Sequence, residues 1–133
     1  DIDTVARLPY SIVISDSIYA DTDTPHPRMY GSFPKILREY VWERGILTLE
    51  QAIAKMTSLP ARRMKLTGRG ILAPGAFADV LMFDPARFRD RATFTQPTLL
   101  AEGLDLVLLG GVPVWEDGRY LGKAAGRCLT RTE

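Results

Sequence analysis

The stretch LDLVLLGGVPVW, residues 104–115, decides the fold class, because it contains two strands and the turn between them. Two short, mainly apolar runs predict strands, Leu104 to Leu109 and Val112 to Trp115. Gly110-Gly111 predicts a tight hairpin turn, since glycine readily adopts positive φ. Asp117-Gly118 is a second hairpin signal. The sequence therefore predicts a small antiparallel sheet in this half of the chain.

The β character begins earlier, at Gly68. Pro74-Gly75 predicts a turn, residues 79–83 predict another strand, and Asp84-Pro85 ends it. Residues 86–103 are polar and irregular, and we expect some local helix within them. The change at Gly68 divides the chain into residues 1–67 and residues 68–133.

Three helices are predicted before this boundary, so the fold class is α+β. Ser32 is a suitable N-cap for the first, with Pro34 in its first turn. Thr48 and Gln51 form a capping box that opens the second. The predicted helices run from Ser32 to Gly45, from Thr48 to Met56 and from Ser58 to about Leu66.

Composition excludes several classes of protein. The chain has 133 residues, a formal net charge of +1, one histidine and one cysteine. One cysteine cannot form an internal disulfide, and no apolar run is long enough to span a membrane. Balanced charge argues against nucleic acid as a partner, and one histidine argues against a self-contained multi-histidine metal site. We expect a cytoplasmic protein without a secretory leader, whose chemistry is completed by residues elsewhere.

Asp16 is the strongest candidate for a functional residue. Tyr10 to Ile14 is an apolar run that predicts a strand buried on both faces, as in a parallel sheet. Asp16 follows it, ahead of a loop predicted from Asp21 to Pro27, and α/β folds place their sites after such strands. Its carboxylate could bind a metal or accept a proton from water. The alternative is an Asx-turn that only shapes the loop, and the residues alone leave both open.

The loop also carries His26, Arg28 and Tyr30. A single histidine in a proline-rich loop is more often a hydrogen-bonded loop residue than a metal ligand. Arg28 could bind a substrate carboxylate through its planar guanidinium, although most loop arginines make surface contacts only. Tyr30 has the same two interpretations. The glycine pattern at 68–73 lacks the strand and helix that a dinucleotide site needs, and Asp21-Thr22-Asp23 lacks the rest of a calcium loop.

Longer stretches carry a family resemblance. Leu49 to Ala61, Gly70 to Pro85 and Val107 to Val114 resemble the C-terminal region of the amidohydrolase superfamily. His26 to Pro34 and Asp90 to Phe94 resemble its N-acyl-D-amino-acid deacylase branch. The resemblance covers nearly the whole chain from Ile12 onward.

The resemblance implies a fold and a division of the chain. Members combine a TIM-like, metal-dependent hydrolase barrel with a β-sandwich built from both ends of the chain. Residues 1–67 would be the C-terminal end of the barrel, with Ile12 to Ile14 as its last strand. Residues 68–133 would be the C-terminal part of the composite sandwich, and Ala78-Asp79 would be structural.

The resemblance also implies a reaction and roles for three residues. Asp16 would contact the zinc site, take a proton from the metal-bound water and return it to the leaving amine. Arg28 and Tyr30 would contact an N-acyl amino acid substrate. Ser17 departs from the glycine that many relatives have after this aspartate. The rival activities are those of a dihydroorotase- or hydantoinase-like cyclic amidase or a dipeptidase, and the rival class is a non-catalytic interaction module.

The resemblance further implies that this chain is a fragment. The histidine ligands of the family lie on earlier strands and are absent here, so we expect no activity and no tight zinc binding by the chain alone. An apolar face with Phe33, Ile36 and Tyr40 would be exposed, which predicts a possible homodimer. A strictly monomeric sedimentation profile would contradict that expectation.

Overall fold

The computed structural model describes residues 1–18, 22 and 24–129, and it separates a helical half from a β half. None of the described helices has the length and apolar character needed to cross a membrane. The elements are α1 (Ile2–Arg7), α2 (Arg28–Lys35), a π-helical segment (Ile36–Glu43), α3 (Leu49–Met56), α4 (Ser58–Arg63), β1 (Val80–Phe83), β2 (Leu104–Leu109), β3 (Val112–Glu116) and β4 (Arg119–Tyr120).

The buried core lies in the helical half, between the π-helical segment and α3. Thr48 Oγ1 accepts a hydrogen bond from the backbone N–H of Gln51, and Gln51 Oε1 accepts one from the N–H of Thr48. The predicted capping box is therefore confirmed, and it fixes the start of α3. The core cluster consists of Leu37, Val41, Ile46, Leu47 and Ala52.

Helix α2 begins at Arg28, so the prediction of a helix capped by Ser32 is wrong. The backbone N–H groups of Tyr30 and Gly31 both donate to the carbonyl of Pro27, which starts the helix one turn earlier. Pro34 lies inside α2, where it has no N–H to donate, and the π-helical segment follows it. Helix α4 also differs from its prediction, because it ends at Arg63.

The β half is one antiparallel sheet with the order β1-β2-β3-β4, as the sequence predicts. Gly110 and Gly111 have φ values of 56° and 83°, so the hairpin between β2 and β3 has the predicted turn. The segment 86–103 contains turns and an isolated bridge between Arg89 and Glu102, not the expected local helix. The antiparallel sheet is confirmed, and its place in a larger β-sandwich stays a prediction.

Residues 10–14 have no regular secondary structure beyond a turn at Tyr10, so they do not form the predicted buried strand. No strand of the described chain pairs with them, and the side chain of Ile14 is 66% exposed. The backbone N–H of Val13 donates to the carbonyl of Lys55 at 3.1 Å. A strand buried on both faces needs neighbouring strands, which the described residues do not supply. The position of this segment in a barrel therefore stays a prediction.

The exposed apolar face is also displaced from where the sequence places it. Phe33 is exposed, but Ile36 and Tyr40 pack against the core cluster. The exposed large apolar side chains around Ile36 and Tyr40 are those of Ile2, Val5, Ile12 and Ile14.

Candidate functional site

Asp16 lies two residues after Ile14 and has an unusual backbone. Its φ is 49°, a left-handed conformation that aspartate and asparagine tolerate better than most residues. Arg28 Nη1 lies 3.1 Å from Asp16 Oδ2, and the two side chains are 41% and 70% exposed. Among the described residues the carboxylate is paired with this guanidinium rather than with backbone N–H groups, which does not support the Asx-turn alternative. The structure thus brings together two of the three predicted site residues.

His26 lies next to this pair and is part of the start of α2. Its Nδ1 accepts a hydrogen bond from the backbone N–H of Arg28 at 3.1 Å. Its ring meets the ring of Phe94 edge to face, with 5.1 Å between the centroids. The single histidine is therefore a hydrogen-bonded loop residue, as the more common of the two sequence interpretations holds.

A cleft of about 640 Å³ opens between α2 and residues 90–94, beside the Asp16–Arg28 pair. It combines cationic side chains with an aromatic rim, which suits a small molecule that carries both an anionic and an apolar group. The side chains that determine this character are His26, Arg28, Lys35, Arg38, Asp90 and Phe94.

The pair formed by Arg38 and Asp90 at the base of the cleft is not evident from the sequence. Arg38 Nε donates to Asp90 Oδ1 at 2.6 Å and Nη2 donates to Oδ2 at 3.3 Å, while Nη1 binds Glu43. The hydrogen bond to Asp90, and then that to Glu43, raises the pKa of Arg38. The family resemblance of Asp90 to Phe94 draws attention to Asp90. Its partner Arg38 lies 52 residues away, and nothing in the local sequence predicts that the two side chains pair.

Tyr30 is not part of the cleft lining, although the sequence groups it with Arg28. Two residues along a helix correspond to a rotation of about 200°, so Tyr30 and Arg28 project from opposite sides of α2. Tyr30 is half-buried. The structure does not bring it to Asp16.

The rejected motifs have structural explanations. A Cβ atom on Gly70 would lie 2.7 Å from the carbonyl oxygen of Thr57, so this glycine allows close packing on α4. Asp79 Oδ1 accepts a hydrogen bond from the N–H of Gly110 at 2.8 Å, which ties β1 to the hairpin, in agreement with its predicted structural role. Residues 21 and 23 of the calcium-like pattern lie outside the described residues.

The carboxylate of Asp16 is a suitable zinc ligand, but the described residues together do not form a zinc site. Zinc in catalytic sites takes three protein ligands, drawn from histidine nitrogen, cysteine sulfur and carboxylate oxygen. Within the described ranges, no three His, Cys, Asp or Glu side chains come close enough to hold a metal. His26 Nδ1 is already an acceptor for a backbone N–H. Asp16 therefore offers one oxygen ligand, and the described residues do not by themselves assemble a zinc site.

Comparison with known proteins identifies relatives over nearly the whole chain. A profile of the amidohydrolase family matches residues 12–115. D-aminoacylase from Alcaligenes xylosoxydans xylosoxydans is 42% identical over 132 residues, which are 99% of this chain and 27% of that protein. N-acyl-D-glutamate deacylase from the same organism is 50% identical over 104 residues, 78% of this chain and 21% of the relative.

A solved structure shares the fold as well as the sequence. It is N-acyl-D-glutamate deacylase from Bordetella bronchiseptica, complexed with zinc and a phosphonate inhibitor that mimics the tetrahedral intermediate. The TM-score is 0.83 at 43% identity, covering 89% of this chain and 25% of the other. The chain spans about a quarter of the length of the curated relatives it matches. A family profile that matches most of the chain, with relatives of this identity, shows that the chain belongs to the amidohydrolase family.

Proposed function

We propose that this chain is part of a zinc-dependent amidohydrolase that hydrolyses N-acyl-D-amino acids to a carboxylic acid and a D-amino acid. The observation that carries the proposal is its identity of 42% to a D-aminoacylase over 99% of its length. Zinc is proposed as the metal because the Bordetella bronchiseptica deacylase, which shares the fold, was solved with zinc. The described residues offer one of its ligands, so the others must come from outside them.

Asp16 is the residue that we propose to handle the proton. Hydrolysis of an amide needs a base that accepts a proton from the attacking water and an acid that protonates the leaving amine. A single carboxylate can do both in turn. Asp16 is exposed, borders the cleft through its ion pair with Arg28, and lies in a strained backbone conformation. Strain of this kind often accompanies functional residues.

Arg28 is the residue that we propose to bind the substrate carboxylate. Every N-acyl amino acid carries a carboxylate, and a guanidinium can bind it with two parallel hydrogen bonds. Arg28 lines the cleft and lies 3.1 Å from Asp16, so recognition and proton transfer would take place side by side. Tyr30 lies on the opposite side of α2, and we leave it out of the proposed site.

The proposal is tested by replacing Asp16 with asparagine in the enzyme that contains this chain. Asp16→Asn keeps the size and the tolerance of positive φ but removes the base, so kcat should fall by about 10²–10⁴-fold with little change in KM. Asp117 has a similar φ of 48° in the turn before β4, so Asp117→Asn is the matched control and should retain activity. Near-normal turnover by Asp16→Asn would refute the assignment.

The substrate class is tested on the unmodified enzyme. We expect hydrolysis of N-acetyl-D-amino acids and little hydrolysis of the L-isomers or of cyclic imides. Faster turnover of cyclic imides would instead favour a dihydroorotase- or hydantoinase-like activity, and turnover of dipeptides would favour a dipeptidase.

A further inference from the structure

His26 supplies two hydrogen-bond acceptors at the start of α2. The first N–H groups of a helix have no partner within it and must find one outside. His26 Nδ1 accepts the N–H of Arg28 at 3.1 Å, and the His26 carbonyl accepts the N–H of Met29 at 3.0 Å. His26 thus fixes the backbone of the residue that we propose to bind substrate.

The other side of the His26 ring is held by residues 90–94. Phe94 contacts it edge to face, an arrangement that aromatic rings prefer. The segment is anchored at its other end by Asp90, whose side chain is 11% exposed and bound to Arg38. Asp90 also packs tightly on α2, since a Cβ on Gly31 would come within 3.1 Å of the Asp90 Cβ. The segment is therefore anchored at Asp90, and the edge-to-face contact of Phe94, which is itself 80% exposed, orients the imidazole.

The Asp16–Arg28 pair needs such support. Both side chains are exposed, and exposed ion pairs contribute little free energy of their own. Their mutual orientation must therefore come from the backbone that carries them. For Arg28, that backbone is the first turn of α2, where His26 Nδ1 accepts the Arg28 N–H and Ser32 Oγ donates to the Arg28 carbonyl.

We propose that His26 is a positioning residue that holds Arg28 beside Asp16, with Phe94 fixing the His26 ring. The inference rests on the proposed function, in which Arg28 binds the substrate carboxylate and Asp16 handles the proton. It gives the only histidine of the sequence a role in substrate binding through Arg28 rather than through a metal.

Two substitutions in the enzyme that contains this chain separate the two contacts of His26. His26→Asn keeps a side-chain acceptor for the N–H two residues later and removes the ring contact. His26→Phe keeps a ring against Phe94 and removes the acceptor. With N-acetyl-D-amino acids as substrates, His26→Phe should raise KM about five- to tenfold, the scale of a lost helix cap, with little change in kcat. His26→Asn should stay within about threefold of the unmodified KM.

Crystal structures of the same two variants provide a measurement that does not depend on activity. In His26→Phe the Arg28 guanidinium should leave Asp16, with the Nη1 to Oδ2 distance rising beyond the 3.1 Å seen here. In His26→Asn the pair should persist. An unchanged pair in His26→Phe, or an equal fall of kcat in both variants with a lower melting temperature, would overturn the positioning role. Failure of the unmodified enzyme to hydrolyse any N-acetyl-D-amino acid would instead overturn the proposed function.

Discussion

Lys55 is a buried lysine whose partners are all uncharged. It is 5% exposed, and its Nζ donates to the Leu8 carbonyl at 2.5 Å, to the Ser11 carbonyl at 3.1 Å and to Ser11 Oγ at 2.8 Å. Its own carbonyl accepts the N–H of Val13. Burial lowers the pKa of Lys55 below its ordinary value of 10.5. This single residue connects α3 to the segment that leads to Asp16.

The lowered pKa of Lys55 predicts how stability changes with pH. Between the folded pKa and the unfolded value of 10.5, the unfolded chain binds more protons than the folded chain. Stability therefore rises with pH through this window and is lost as pH falls through the folded pKa. Lys55→Met should remove this rise and also take the Lys55 donor from the Ser11 carbonyl, at a cost of about 1–3 kcal/mol. The Leu8 carbonyl keeps the N–H and Oγ of Ser11 as donors.

Urea unfolding of the 133-residue chain at several pH values between 7 and 10.5 measures both effects of Lys55→Met. Lys123→Met, at an exposed position, is the control for loss of a surface charge. A constant difference in free energy of unfolding between the unmodified chain and Lys55→Met across this range would contradict the prediction.

Candidate site residues can be predicted from the sequence where local chemistry alone identifies them. Asp16 and Arg28 were recognisable as candidates because a carboxylate and a guanidinium near a predicted loop suit catalysis and anion binding. Their contact was not predictable, and neither was the burial of Lys55, whose acceptors lie 44 and 47 residues away. Pairing across such distances depends on how the elements pack.

At the scale of elements, local signals succeed and signals that require distant partners fail. The capping box of α3 and the Gly110-Gly111 hairpin are confirmed because their hydrogen bonds lie within a few residues. The start of α2 was misplaced because Pro27 and His26 supply acceptors that the Ser32 and Pro34 signals do not reveal. The buried strand predicted at 10–14 does not form among the described residues, because burial on both faces requires neighbouring strands.

The close packing of Gly70 on α4 predicts that a side chain at this position lowers the stability of the fold. Gly70 has a φ of 72°, and a Cβ there would also lie 2.9 Å from the Ala61 Cβ. Gly75 has a φ of 82° but open space around it, so Gly75→Ala incurs the backbone strain alone. Gly70→Ala should therefore lower the free energy of unfolding by about 1–3 kcal/mol more than Gly75→Ala. Thermal and urea unfolding of both variants measure the difference, and equal losses would show that α4 moves aside without cost.

At the scale of the whole molecule, the chain has the fold of its relatives over the aligned residues, but its described residues do not assemble a set of metal ligands. Its relative from Bordetella bronchiseptica was solved with zinc. The part of this chain that the structure describes brings no three potential ligands together. Since zinc sites are usually four-coordinate and tight binding needs most ligands in place, Asp16 alone should bind zinc weakly.

We therefore predict that the 133-residue chain binds no zinc stoichiometrically. Calorimetric titration of the chain, after treatment with a chelator, should give no one-to-one isotherm at micromolar protein, and added zinc should leave the melting temperature unchanged because a ligand that does not bind the folded state cannot stabilise it. Asp16→Asn is the informative variant. A tight one-to-one isotherm that disappears in Asp16→Asn would show a metal site within this chain, and it would contradict the prediction. Weak heats that are equal in both forms would support the prediction, because nonspecific surface binding does not depend on one carboxylate.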